Sequence, residues 1–331
     1  MLTIRQNLLE TIRGGAPDRF VNQYEYMKLL TNPVMRGRSG NCPLGGTIVN
    51  DWGVTLSWPE HVIAPFPVHR PDTIVVKDVT RWRETVKAPD PLSFTEEEWA
   101  RSVENAQEVN RSEVFAASMV APGIFERLHY LMGMEDCMAN LHEEPEAMHE
   151  LIDFLTEWEI ALAKTVVEHQ HPDALFHHDD WGTQTRSLMS PDTFAEFFLP
   201  AYKKVYGYWK QHGVEIIVHH SDSYAANLVP YMIEMGVDIF QGAVSENNIP
   251  ELVRLYGGRL SFHGGIDNGK HDKEGWSAEA LRAALRDLVD KTGGRYIIPG
   301  FTMGGPGTTY PGAYETLTEE IDKLSKTFFK K

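Results

Sequence analysis

A chain of 331 residues is long enough for two average domains or for one β/α barrel. Hydrophobic residues make up 42%, which argues against disorder, and 47 acidic against 31 basic residues give a formal charge of −16. No lysine–arginine cluster is present to hold nucleic acid or an anionic membrane surface, and two cysteines, Cys42 and Cys137, rule out a metal centre built mainly from thiolates.

Met1-Leu2-Thr3-Ile4-Arg5 opens directly into a helix over 4–13, with Ile4, Leu8, Leu9 and Ile12 on one face and Gly14-Gly15 as its stop. No signal peptide is expected, and no apolar run approaches the roughly 18 residues of a membrane span. With two lone thiols, a reducing, cytoplasmic home is expected. Residues 16–90 are rich in Pro and Gly, with short extended pieces such as Thr73-Ile74-Val75-Val76, and read as an irregular cap. Glu113 to Met119 reads as a strand, and after Pro122-Gly123 a helix runs to Met132.

Regular β/α alternation follows. A long helix from Pro145 to about Val167 precedes a strand at 174–177. Ser190-Pro191-Asp192 starts a helix running to about His212, and strands are predicted at 215–219, 237–240, 260–263 and 296–298. Helices over about 225–235, 248–256, 278–291 and 314–329 separate or follow them. The pattern predicts a single-domain (β/α)8 TIM barrel over 1–331, with clear β/α units over 110–331 and 1–90 as an elaborated N-terminal segment.

Three of these strands end in histidine and aspartate: His177-His178-Asp179-Asp180, His219-His220-Ser221-Asp222 and His263-Gly264-Gly265-Ile266-Asp267. Strand carboxyl ends carry the sites of β/α folds, so these segments predict one polar site suited to a metal or to proton chemistry. Only some of each burst can face inward, because neighbours on a strand alternate faces. His220 and Asp222, two residues apart, could share one cation, or the aspartate could fix a histidine tautomer without one. His220, Asp222 and His263 are the candidate metal ligands, and His220, Asp180 and His178 the candidate catalytic residues. Asp180 could equally cap the helix that follows. Gly300 to Gly307 lacks the Lys and Ser/Thr of a P-loop and reads as the wall of an organic-ligand pocket, with Phe301 and Met303 on it. Trp52 and Trp181 are candidate aromatic contacts; a core role is the alternative.

The ordered set Arg13-Gly14-Gly15-Ala16-Pro17-Asp18-Arg19, Asp51-Trp52-Gly53, Asp179-Asp180-Trp181-Gly182-Thr183-Gln184, Leu188-Met189-Ser190-Pro191, Pro200-Ala201-Tyr202-Lys203-Lys204, His219 to Ser223 and Gly236-Val237-Asp238 resembles the uroporphyrinogen decarboxylase superfamily along nearly the whole chain. The resemblance implies one (β/α)8 barrel. Uroporphyrinogen decarboxylases carry an arginine-rich N-terminal segment for substrate carboxylates; here Phe20-Val21-Asn22-Gln23-Tyr24-Glu25-Tyr26 follows Arg19. The corrinoid-dependent methyltransferase branch fits better, most of all its O-demethylase-like members. That branch implies a zinc ion, a methoxylated, aromatic methyl donor and a separate corrinoid protein carrying cobalamin. Its coenzyme M members bind zinc through a His-x-Cys and a distant Cys, and neither cysteine is present in His219-His220-Ser221-Asp222 or Gly300-Phe301-Thr302-Met303. The loss argues against a thiol acceptor and is compatible with an oxygen-bound donor, activated by zinc or by a histidine acid. The rival readings are a methyltransferase with an amine or other donor or acceptor, a decarboxylase, and a non-catalytic module that binds a corrinoid protein. Monomer or homodimer is left open.

Overall fold

The computed structural model describes residues 1–62 and 64–329. Its ten strands are β1 (Met27–Leu30), β2 (Thr47–Val49), β3 (Thr55–Ser57), β4 (Phe66–Pro67), β5 (Phe115–Val120), β6 (Ala174–His178), β7 (Ile216–His220), β8 (Ile239–Ala243), β9 (Ser261–Ile266) and β10 (Ile297–Phe301). Seven of them form one parallel sheet in the order β1-β5-β6-β7-β8-β9-β10. Each strand after β1 pairs with its predecessor in that order, as successive β/α crossovers require. The sheet curls, and the segment entering β1 reaches its far edge: Gln23 N donates to Pro299 O of β10 at 3.3 Å. The expected eight-stranded barrel is thus observed as a curled sheet of seven strands.

Strand alternation divides the core in two. Inside the curl, Met27, Phe115, Ala117, Ala174, Phe176, Ile216, Val218, Ile239 and Ile298 pack together. The helix Ile4–Arg13 contributes Leu8 to this inner core, closing one end. Outside it, Leu175, Ile217, Phe240, Phe262, Ile297 and Phe301 pack against the helices in a second, larger cluster. The helix Pro145–Gln170 dominates that layer, presenting Leu151, Leu155, Leu162 and Val166.

Most predicted elements appear with boundaries shifted by one to a few residues. The predicted helix over 190–212 is two helices, Pro191–Phe197 and Leu199–Gln211, meeting at Phe198 just before Pro200. The extended piece at 73–76 forms no strand; Val75 N and Val76 N both donate to Leu131 O instead. The cap holds a small antiparallel sheet, β2-β3-β4, whose first turn is built by Asn50. The Asn50 side chain accepts from Trp52 N and Val54 N, and Gly53 takes the left-handed conformation the turn needs (φ 79°). Among the described residues, no helix is long and apolar enough to cross a membrane.

Candidate active site

The strand register sets the site. His177 lies beside His219, and His178 beside His220. His220 in turn neighbours Gln241, and Gln241 neighbours His263. One rung of the sheet's inner face therefore carries His178, His220, Gln241 and His263 on four successive strands, above the apolar inner core. Alternation sends His177 and His219 to the outer face.

Of the inner groups, His178, Asp180 and His220 bring one ligand atom each to within 4.8 Å of one another. The rings of His178 and His220 stack at 4.3 Å. Each imidazole is oriented from behind. His178 Nδ1 donates to Glu126 Oε2 at 2.8 Å, which leaves Nε2 as its free nitrogen. His220 Nδ1 meets Gln241 Oε1, and the orientation of that amide follows from its other end. Gln241 Nε2 lies 3.0 Å from the Thr302 carbonyl, which can only accept, and 2.7 Å from Tyr24 Oη. The amide oxygen therefore faces His220, whose Nδ1 carries the proton and whose Nε2 offers a lone pair. Two imidazoles backed by a carboxylate and an amide, with a carboxylate beside them, are a donor set that fits zinc once His178 gives up its second proton.

Burial lowers the His178 imidazole, but Glu126, together with the charges of Asp180 and Asp222, overcomes this and raises it to about 9. His220 goes the other way, to about 4, through burial and the positive charge of His178. Burial raises Glu126, Asp180 and Asp222, with His178 opposing in each case.

The sequence-predicted residues divide between this cluster and other places. Asp222 lies beside the cluster rather than in it: its N–H donates to Asp180 Oδ1 at 2.9 Å, and it lines the adjoining pocket. His263 is fully buried further along the rung, where Tyr26 Oη meets its Nδ1 at 3.1 Å and the Tyr24 ring packs at 4.6 Å. Its Nε2 has no partner among the described residues. The pocket, of about 520 Å³, is walled by Tyr24, Met27, Leu29, Met119, Phe176, Met303 and Pro306, with His178, His220 and Asp222 on its polar side. Met303, on the glycine-rich loop, lies in that wall. Phe301 faces the outer layer, and Trp181 is buried there, stacked on His219 at 3.9 Å. Trp52 lies in a separate cavity under the cap.

Three contributors carried no motif: Glu126, Gln241 and Tyr24. A faint signal exists for the first, a charged Glu126-Arg127 pair in an otherwise apolar helical turn after Pro122-Gly123. Glycines let the layers close. A Cβ on Gly123 would lie 2.5 Å from His177 and 2.6 Å from Asp179, and one on Gly242, at a register shift in β8, would lie 2.9 Å from Asp222 N.

The chain matches the family model described as uroporphyrinogen decarboxylase (URO-D) over residues 47–323. It belongs to that family. Among solved structures it is similar to a methyltransferase from Methanosarcina mazei, with a TM-score of 0.70 at 16% sequence identity, covering 98% of this chain and 99% of that one. No curated protein matches the sequence.

Proposed function

We propose that the chain is a corrinoid-dependent methyltransferase on a (β/α)8 barrel, moving a methyl group from a methoxylated aromatic donor to the Co(I) corrinoid of a separate protein. The observation that carries this reading is the His178–Asp180–His220 cluster, whose two histidines line the polar side of an apolar pocket of about 520 Å³. The family and the methyltransferase of similar fold agree with it. An aryl ether is a poor electrophile, so the barrier falls only if charge developing on the departing oxygen is stabilised. His178, Asp180 and His220 would hold a zinc ion, which when bound supplies a Lewis acid for that oxygen.

The chain's own groups do the rest. Met27, Met119, Phe176 and Met303 give the aryl ring an apolar bed and keep water from the reacting carbon. Glu126 and Gln241 hold the two imidazoles by Nδ1, which leaves both Nε2 atoms for a ligand. Without zinc, His178 stays protonated at neutral pH and can itself give a proton to the leaving phenolate. Decarboxylation of a polycarboxylate needs several cationic clamps, and among the described residues Lys28 is the only Lys or Arg lining this pocket.

The test combines metal content with methyl transfer. Purified protein is analysed for zinc, then assayed for methylation of a reduced corrinoid protein with methoxylated aromatics, amines and methylcobalamin as donors. One zinc per chain, lost in Asp180→Ala, with methylation only from the ethers, supports the full reading. Ether-dependent methylation by metal-free, chelator-treated protein selects the His178 acid. Transfer from amines alone removes the O-demethylase reading.

A further inference from the structure

Arg127 is a buried cation that makes no ion pair among the described residues; burial lowers its pKa to about 10, with the charges of Glu159, Asp179 and Glu126 opposing. It sits on the helix Ile124–Met132, one residue after Glu126, and is 5% exposed. Its guanidinium carbon lies 4.4 Å from the ring centroid of Trp52 and 4.6 Å from that of Trp158, two indoles set edge to face. Nη2 donates to the Pro122 carbonyl at 3.0 Å, and Nε has no partner among the described residues. Each neighbouring carboxylate is committed elsewhere. Glu126 holds His178, and Glu159 holds His177 through Oε2 at 3.0 Å. Asp179 takes Phe125 N, Glu126 N and the Tyr202 hydroxyl. Glu159 Oε1 is left over: it has no hydrogen-bond partner among the described residues, and its charge reaches Arg127 without an ion pair.

An unpaired buried charge is expensive and persists where something compensates it. Arg127 also lines a cavity of about 310 Å³ between the cap and the barrel, and no residue of that cavity lines the methyl-donor pocket. Val34, Val54, Trp52 and Trp158 make its apolar wall, and Arg36 adds a second cation. Asp51, the one carboxylate on this lining among the described residues, is already satisfied by Arg38 N and Ser39 N.

We propose that this cavity is a second ligand site, taking a small organic carboxylate whose carboxyl group pairs with Arg127 and whose apolar body rests on Trp52 and Trp158. A guanidinium pairs with planar carboxylates through parallel hydrogen bonds, and Nη2 is the one Arg127 nitrogen with a hydrogen-bond partner among the described residues. The size admits a single-ring acid and little more. The site is independent of the methyl-transfer reading, because none of its groups belongs to the His178 cluster.

Isothermal titration of the full-length protein with benzoate, cyclohexanecarboxylate and inorganic phosphate tests it. Both carboxylates are expected to bind, and Arg127→Met to weaken them by roughly tenfold or more, as for removal of a buried charged partner. Ile48→Trp, which fills the cavity from a half-exposed position and leaves Arg127 in place, is expected to abolish binding even if Arg127→Met does not fold. His220→Ala is expected to leave it unchanged, which separates this site from the donor pocket. Equal binding by wild type and Ile48→Trp, binding of phosphate alone, or no carboxylate binding to folded wild type overturns the proposal.

Discussion

Two trios of the same chemistry sit back to back on β6 and β7 and have opposite fates. On the outer face, His177 pairs with Glu159, and His219 is held between the Tyr206 hydroxyl and the Asp179 carbonyl. Asp179 itself caps the helix Ile124–Met132. All three are fully buried. On the inner face, His178, Asp180 and His220 bring ligating atoms to within 4.8 Å of one another, and the two histidines line a pocket. Residue type therefore does not separate site from scaffold here; the partner at the back of each ring does. The outer histidines have spent both nitrogens or lost all access, whereas the inner ones have spent only Nδ1.

The largest expected effect breaks the symmetry of the trios directly. His220→Ala should cut methyl transfer by roughly 10²- to 10⁴-fold, the usual contribution of a positioned catalytic group. Circular dichroism and the melting temperature should stay near wild type. Glu159→Ala should do the reverse. Stripping the partner from a buried His177 is expected to cost about 3 kcal/mol of stability in denaturant titration, with activity per folded molecule retained. If Glu159→Ala abolished activity in folded protein, the outer trio would be part of the machinery and the division would fail.

Glu126 sharpens the comparison because it reaches the inner trio from outside. Glu126→Gln should weaken zinc binding by roughly 10- to 100-fold in competition with a chelator, as loss of a carboxylate behind a ligating imidazole does. A pH signature accompanies it in metal-free protein. The folded His178 is raised to about 9, above an unfolded value of about 6.5. Its contribution to stability is then complete below about pH 6.5 and is lost as pH rises toward 9. The denaturation midpoint of wild type should fall across that window, and the fall should shrink in Glu126→Gln. A flat wild-type profile would mean that the Glu126 contact does not hold the proton.

The strands were legible because each apolar run ends at a polar burst, and the site's location followed from those ends. Parity was not legible. Nothing in His177-His178-Asp179-Asp180 says which member faces inward, because both neighbours of the strand bury their side chains. Spacing along one strand paired His220 with Asp222, whereas the observed cluster forms across strands, where register places His178 beside His220. Phe301, on the glycine-rich loop, is the last residue of β10 on its outer parity, and Trp181, for which pocket and core roles were both open, packs with Phe194 and Tyr202. β1 escaped notice because Met27-Lys28-Leu29-Leu30, at the sheet's edge, buries only its two ends. Glu126 and Gln241 act through tertiary hydrogen bonds that no local pattern encodes.

The smallest expected effect is the most discriminating. The Asp179 carbonyl can only accept, so His219 Nε2 carries its proton, and Nδ1 accepts from Tyr206 Oη at 2.8 Å. Burial raises the Tyr206 phenol well above its usual value and lowers His219 well below its own, so both remain neutral and the bond keeps one direction. Tyr206→Phe removes that donor and leaves a fully buried acceptor empty, at a cost of about 1–3 kcal/mol. His219 is the neighbour of His220 in β7, so any slack in the outer bond reaches the inner ring through one shared peptide. If the strand is held by its ladder and by the packing of Ile217 and Val218, Tyr206→Phe lowers the melting temperature and leaves both zinc affinity and the KM for the donor unchanged. A loss of zinc affinity in folded Tyr206→Phe would show instead that the outer histidine sets the orientation of the inner one, and that the two faces of β7 work as one unit.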